Sequence, residues 1–251
     1  SNCAASSNPP ARSTSTATLF QMAKPIRISG ESDFEKLLKR LSDDIVFAPA
    51  FLRIDKQLGE LFERYRDEVN QTEFFWAMVA TAVCETGLLR LARIYDQEEK
   101  ALSLRALLVT IEANKHLFDG SAVKKRVNPS FAQSIVPGSH LPDPKSLRQD
   151  LALVSSSDPL VNKIVIWRNN FGAHTSSKQT IQRNLPDGTL PTQDEAFALC
   201  NRAFDVFNRY TSLFHAVSHS RMIIGEEGSV ESVFKHLRSG LVARRRKGVT
   251  L

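Results

Sequence analysis

Gln71-Thr72-Glu73-Phe74-Phe75-Trp76-Ala77-Met78-Val79-Ala80-Thr81-Ala82-Val83-Cys84-Glu85-Thr86-Gly87-Leu88-Leu89-Arg90-Leu91-Ala92-Arg93-Ile94-Tyr95 reads as one helix that is apolar nearly all round, through Phe74, Phe75, Trp76, Met78, Val79, Val83, Leu88, Leu89 and Leu91. A helix without a broad polar face belongs at the centre of a bundle. It is not read as a membrane span, because Glu73, Glu85, Arg90 and Arg93 leave an uncharged run of only eleven residues between the acids. With only 11 glycines and 11 prolines in the chain and few segments alternating with period two, the fold class is read as all-α.

Amphipathic helices flank it on both sides. Ser32 or Asp33 can cap a helix carrying Phe34, Leu37, Leu38, Leu41, Ile45 and Val46 at helical spacing. Pro49 interrupts, and a second helix is predicted from Phe51 to Glu68. Downstream, Leu102 to Phe118 is predicted helical, followed by a proline- and glycine-containing connection or insert near 120–145. Leu147 to Val154 and Pro159 to Trp167 are helical again, and Pro186-Asp187-Gly188 is a turn. Thr192, with Glu195 three residues on, forms a capping box for a helix to about His219. Ser229 to Leu241 predicts a short terminal helix.

Composition sets the remaining bounds. With 251 residues, 42% apolar and 24% charged, the chain can bury a core and suits a soluble globular protein. Cys3, Cys84 and Cys200 are odd in number and scattered, which predicts free thiols in a reducing, cytoplasmic setting and no zinc site. The net charge of +6 equals the six bases from Lys235 onward: Lys235, Arg238, Arg244, Arg245, Arg246 and Lys247. A basic tail over 222–251, partly helical, is thus the asymmetry to explain. Residues 1–30, rich in Ser, Thr, Ala and Pro as far as Gln21, are expected to be disordered, faintly like a transit peptide but better read as an extension before Met22.

The chemistry concentrates in Val161-Asn162-Lys163-Ile164-Val165-Ile166-Trp167-Arg168-Asn169-Asn170-Phe171-Gly172-Ala173-His174. An apolar approach delivers a fixed cation, an amide and an imidazole. Arginine presents a fork of donors suited to phosphate, and histidine exchanges a proton near neutral pH. Together they are the minimum kit for cutting RNA without a metal or cofactor. On a straight helix six residues turn through about 600°, leaving Arg168 and His174 some 120° apart. A joint site then needs a bend at Gly172 or a second copy of the chain.

Arg168-Asn169 followed by His174 is similar to the R-x(4–6)-H signature of HEPN domains. Leu91-Ala92-Arg93-Ile94-Tyr95-Asp96 and Leu102-Ser103-Leu104-Arg105-Ala106-Leu107-Leu108 resemble the Arg-x-x-Asp and Ser-Leu-x-x-Leu-Leu run of the AbiU-like, abortive-infection branch. The likeness covers roughly Asp33 to His219, and a domain over 31–221. It implies an up-and-down HEPN-type bundle with extra N- and C-terminal helices, and a homodimer through the motif helix. It further implies an endoribonuclease acting in phage defence or as a toxin, with RNA as substrate and an antitoxin or other regulatory protein as a partner. In that reading His174 is general acid or base, Arg168 stabilises the phosphorane and Asn169 orients phosphate or imidazole. The products are a 2′,3′-cyclic phosphate and a 5′-hydroxyl, and DNA is spared. Ser176 stands where the R-x-x-x-x-H-x-Y variant has tyrosine, which puts regulation through that tyrosine in doubt.

Plainer readings stand beside these. Arg168 can simply pair with a helix acid, His174 can sit at a helix end, and some HEPN modules bind RNA, nucleotide or a protein without cutting. Arg93 and Asp96, three apart, can pair on one helix face. They either steady the motif and the RNA backbone or tie two helices together. Glu85, if buried, needs a partner, with Arg168 or Arg93 the candidates. The run Arg244, Arg245, Arg246 and Lys247 can contact RNA phosphates or remain a solvated end. His215 and His219 lack a third ligand and are read as surface histidines.

Overall fold

The computed structural model describes residues 24–127, 129–133, 138, 140–172, 188–216 and 228–246. All regular structure among these is helical. The helices are α1 (Glu31–Arg64), α2 (Arg66–Asn70), α3 (Glu73–Ile94), α4 (Leu104–Ala113), α5 (Gly120–Arg126), α6 (Pro129–Ala132), α7 (Pro144–Leu153), α8 (Pro159–Trp167), α9 (Gln193–His215) and α10 (Ser229–Arg246). A 3-10 turn, Lys115–Phe118, follows α4, and a π-helical turn, Arg168–Gly172, extends α8. The expectation for residues 1–30 falls largely outside the described residues.

Local chemistry explains most helix starts. Ser103, Asp119, Asp143 and Asp158 each accept a first-turn N–H, and Pro144 and Pro159 occupy the opening position, where proline's missing donor costs nothing. The Thr192–Glu195 capping box forms as predicted, with both reciprocal hydrogen bonds present. At α1 the cap is Gly30 instead of Ser32 or Asp33. The Asp33 carboxylate accepts the Ser29 N–H from inside the first turn.

The predicted break at Pro49 does not occur: α1 runs unbroken for 34 residues with Pro49 inside it. Proline deletes one backbone hydrogen bond, but Ala48, Ala50 and Leu52 around it are buried, and this packing holds the segment helical. Helix α1 lies antiparallel to α3, pairing Asp44 with Arg90 and Arg93, Leu52 with Gly87, and Phe62 with Trp76. A side chain at Gly87 would meet Leu52 at 3.0–3.3 Å, so glycine sets how closely the two helices approach.

Two cores result. The larger takes Phe34 to Leu52 of α1, Leu91 to Tyr95, the apolar face of α4, and the inner faces of α7, α8 and α9. The smaller joins Leu58, Leu61, Tyr65, Val69 and Trp76 to Phe234 of α10. The basic C-terminal segment is thus anchored: Phe234 is fully buried, and Arg238 bonds the Glu68 carboxylate while lying over the Tyr65 ring. The 120–145 connection holds α5 and α6, with Arg126 donating to the Leu117 and Phe214 carbonyls.

Helix α3 departs from expectation. Its second half is central, with Gly87, Leu91, Ala92 and Ile94 buried, but its first half is peripheral. Phe74 is 80% exposed, and Phe75 and Met78 are more than half exposed. Along that half α1 and α10 cover one side only, through Phe62 edge-on to Trp76 and Phe234 stacked on it. Among the described residues α3 alone is long and apolar enough to cross a membrane by length and composition, and only 17% of its apolar window is buried. Arg90 and Arg93, near its far end, pair with Asp44.

Candidate functional site

The motif begins where α8 ends. Val161, Ile164 and Trp167 anchor α8 in the larger core, and after Trp167 the backbone widens into the π turn. Such turns interrupt α-helical register and re-aim the side chains they carry. Arg168 reaches back to the end of α3, where its Nη1 donates to Asp96 Oδ1 at 2.9 Å. Asn169 and Phe171 are exposed, and Asn170 Nδ2 donates to the Ile166 carbonyl. His174 lies outside the described residues, as do Ser176 and His219.

Asp96 is buried and also accepts the Glu98 N–H, which fixes the carboxylate that holds Arg168. The predicted Arg93–Asp96 pair is not made. Helix α3 ends at Ile94 with Tyr95 as its cap, so Asp96 has left the helix face that three-residue spacing assumes. Arg93 turns instead to Asp44 of α1, donating from Nε at 3.0 Å and Nη2 at 2.7 Å. Glu85 is exposed, and neither proposed partner reaches it, since both arginines are engaged elsewhere.

Asp44 is the residue that sequence reasoning missed. It is only 4% exposed and accepts from Arg90 as well as Arg93, with Arg40 Nη1 at 3.2 Å on its other oxygen. The signal that could have found it was register: Asp44 falls on the same stripe as Leu41, Ile45 and Ala48, and an acid on a buried stripe must be paired. Burial pushes the Asp44 carboxyl up. The Arg93 hydrogen bonds and the charges of Arg93, Arg40 and Arg90 outweigh it and hold the group below the ordinary carboxylate range. Arg93 is correspondingly raised, chiefly by its hydrogen bond to Asp44. Arg90 also lies over the Phe47 and Phe51 rings, at 5.4 and 5.5 Å.

Asp44 and Asp96 face a common cleft of about 200 Å³, completed by Arg40, Arg93, Leu41, Ala101 and Leu102. The lining itself balances two guanidinium groups, Arg40 and Arg93, against two carboxylates; Arg90 and Arg168 bond the same carboxylates from outside it, so the whole cluster of +4 and −2 has an excess of +2. Such a cleft can attract and bind an anion without any further group. A roomier groove of about 580 Å³ lies elsewhere, between Phe75 and Trp76 of α3 and Leu237 to Leu241 of α10, and includes no motif residue. Arg244, Arg245 and Arg246 end α10, and Lys247 lies outside the described residues. His215, in the last turn of α9, packs edge-on against Phe214. The thiol of Cys200 is buried and pushed up to about 12, while Cys84 is half-buried and raised by burial and by Asp55.

Compared with known proteins, residues 31–231 match the family model HEPN_AbiU2, described as AbiU2. No curated protein and no solved structure matches the chain. The matched span runs from the first residue of α1 into the first turn of α10, and so includes Asp44, Arg93, Asp96 and Arg168.

Proposed function

Because the chain belongs to the AbiU2 family of HEPN domains, a family associated with abortive infection, we propose that it is an endoribonuclease that cuts RNA by 2′-hydroxyl attack without requiring a metal. The observation that carries this reading is the setting of Arg168. It is a part-exposed cation on a π turn, oriented by Asp96, a carboxylate that also lines the cleft with Arg40 and Arg93.

In the reaction, His174 takes the proton of the 2′-hydroxyl as the 2′-oxygen attacks the adjacent phosphorus. The bond to the 5′-oxygen breaks, and that oxygen leaves with a proton. Arg168 stabilises the extra negative charge of the phosphorane, and Asn169, exposed beside it, orients a phosphate oxygen. A second copy of the chain, docked through the motif helix, supplies the facing imidazole that protonates the leaving group. Such an enzyme needs restraint in its own cell, and we assign that task to an antitoxin-like partner.

The Arg168–Asp96 ion pair favours a second reading, in which the arginine is structural and the module binds RNA or nucleotide without cutting it. Incubating the purified protein with cellular RNA in excess EDTA separates the two. Cleavage that leaves 2′,3′-cyclic phosphate ends, spares DNA and is lost in His174→Ala and Arg168→Ala establishes the nuclease. RNA binding that survives His174→Ala, with no cleavage by the parent, establishes the binding module. Light scattering of the parent should return twice the monomer mass, and a monomer would remove the shared-site mechanism.

A further inference from the structure

We propose that the cleft around Asp44 is a phosphate subsite for the RNA chain, with Arg40 and Arg93 as the phosphate-binding groups and Asp44 as the residue that positions them. The proposal rests on the RNA-directed reading above and extends it from the motif to α1, a helix that carries no motif residue.

A structural ion pair would need only one arginine. Arg93 alone satisfies both oxygens of Asp44 through two hydrogen bonds. Arg90 adds a third donor and is committed to the fold by Phe47 and Phe51. Arg40 is then surplus to the carboxylate, yet the turn between residues 40 and 44 holds it there. Three like charges converge on one buried carboxylate, an arrangement that an anion in the cleft relieves.

The two arginines that line the cleft are also the accessible ones, with side chains 53% exposed for Arg40 and 45% for Arg93. Arg40 contributes one nitrogen to Asp44 and Arg93 two, so both retain N–H donors for a further acceptor. A phosphodiester offers one negative charge and two non-bridging oxygens, which matches two guanidinium forks. The apolar side of the cleft, Leu41, Ala101 and Leu102, suits the sugar or base attached to that phosphate. Asp96 both lines the cleft and holds Arg168, so one carboxylate connects the subsite to the motif arginine.

The test measures binding of a fluorescein-labelled single-stranded RNA across a salt series, in the full chain carrying His174→Ala so that the RNA stays intact. Adding Arg40→Glu should weaken binding at least about tenfold. It should also flatten the salt dependence by about 0.7 in the log–log slope, because one phosphate fewer is neutralised. Arg40→Lys, which keeps the charge, should recover most of the affinity. Lys36→Glu makes the same change in charge one turn earlier on α1, where Lys36 pairs with Asp33, and should leave affinity and slope nearly unchanged. Unaltered binding by Arg40→Glu, or equal weakening by Lys36→Glu, overturns the subsite. Cleavage by the parent is scored separately. A cleaving parent whose RNA affinity ignores Arg40→Glu refutes the subsite alone. A parent that binds through Arg40 without cleaving retains the subsite and refutes the nuclease.

Discussion

Asp44 concentrates the energetics of the candidate site in one side chain. Burial alone would drive its proton on, but three arginines hold the proton off, so its folded pKa lies below the unfolded value of about 3.9. A depressed folded pKa gives stability that is fully present above the unfolded value and is lost as pH falls through the folded one. The urea midpoint of the parent should therefore hold between about pH 5 and 7 and drop below about pH 4. Asp33, held down to about 2 by the Ser29 N–H and Lys36, acts in the same direction, so only the difference from a variant isolates Asp44. Asp44→Asn keeps the shape but leaves Arg40, Arg90 and Arg93 unneutralised. It should cost about 3 kcal/mol at pH 7, the range for breaking a buried ion pair, and its acid slope should be shallower than the parent's. Equal slopes would move the acid sensitivity to other carboxylates.

Two elements were legible in the sequence because their cause is local. The box at Thr192 and Glu195 needs only residues three apart, and α8 needs only Pro159 and its apolar spacing; both form where predicted. What escaped depends on distant partners. Whether Pro49 breaks α1 is decided by burial of the residues around it, and whether Arg93 meets Asp96 or Asp44 is decided by where α3 stops. The motif arginine was recognisable from its neighbours, but Asp44 becomes part of the site only when α1 lies against α3. Helix α3 shows the same limit in its energetics, since its apolar residues look alike in sequence and differ fully in burial. Leu91→Ala, in the larger core, should cost about 2–5 kcal/mol, whereas Phe74→Ser, on the open side, should stay within about 0.5 kcal/mol. Urea denaturation of the two variants checks the contrast. A large destabilisation by Phe74→Ser would show that this face is covered in the protein as it exists in solution.

At the scale of the whole molecule, α1 threads two cores of unequal size, and the two tryptophans fall one in each. Trp167 packs in the larger core beside Arg168, and Trp76 packs in the smaller one against Phe234. The smaller core depends on α10 for its one fully buried aromatic ring, and α10 reaches it across a long stretch of chain. Phe234→Ala removes that ring from between Tyr65, Phe62 and Trp76, a change worth about 3–5 kcal/mol when the site cannot collapse. Because the two clusters share no buried residue, the destabilisation should fall mainly on the smaller one, as sub-global opening does elsewhere. In the Trp167→Phe background, where only Trp76 reports, Phe234→Ala should lower the urea midpoint markedly. In the Trp76→Phe background, where only Trp167 reports, the shift should be smaller. Separate midpoints mean that the α10 end can open while Asp96 still holds Arg168, leaving the motif end folded. Coincident shifts would mean that α1 couples the cores into one unit, and that a change at α10 is felt at the candidate site.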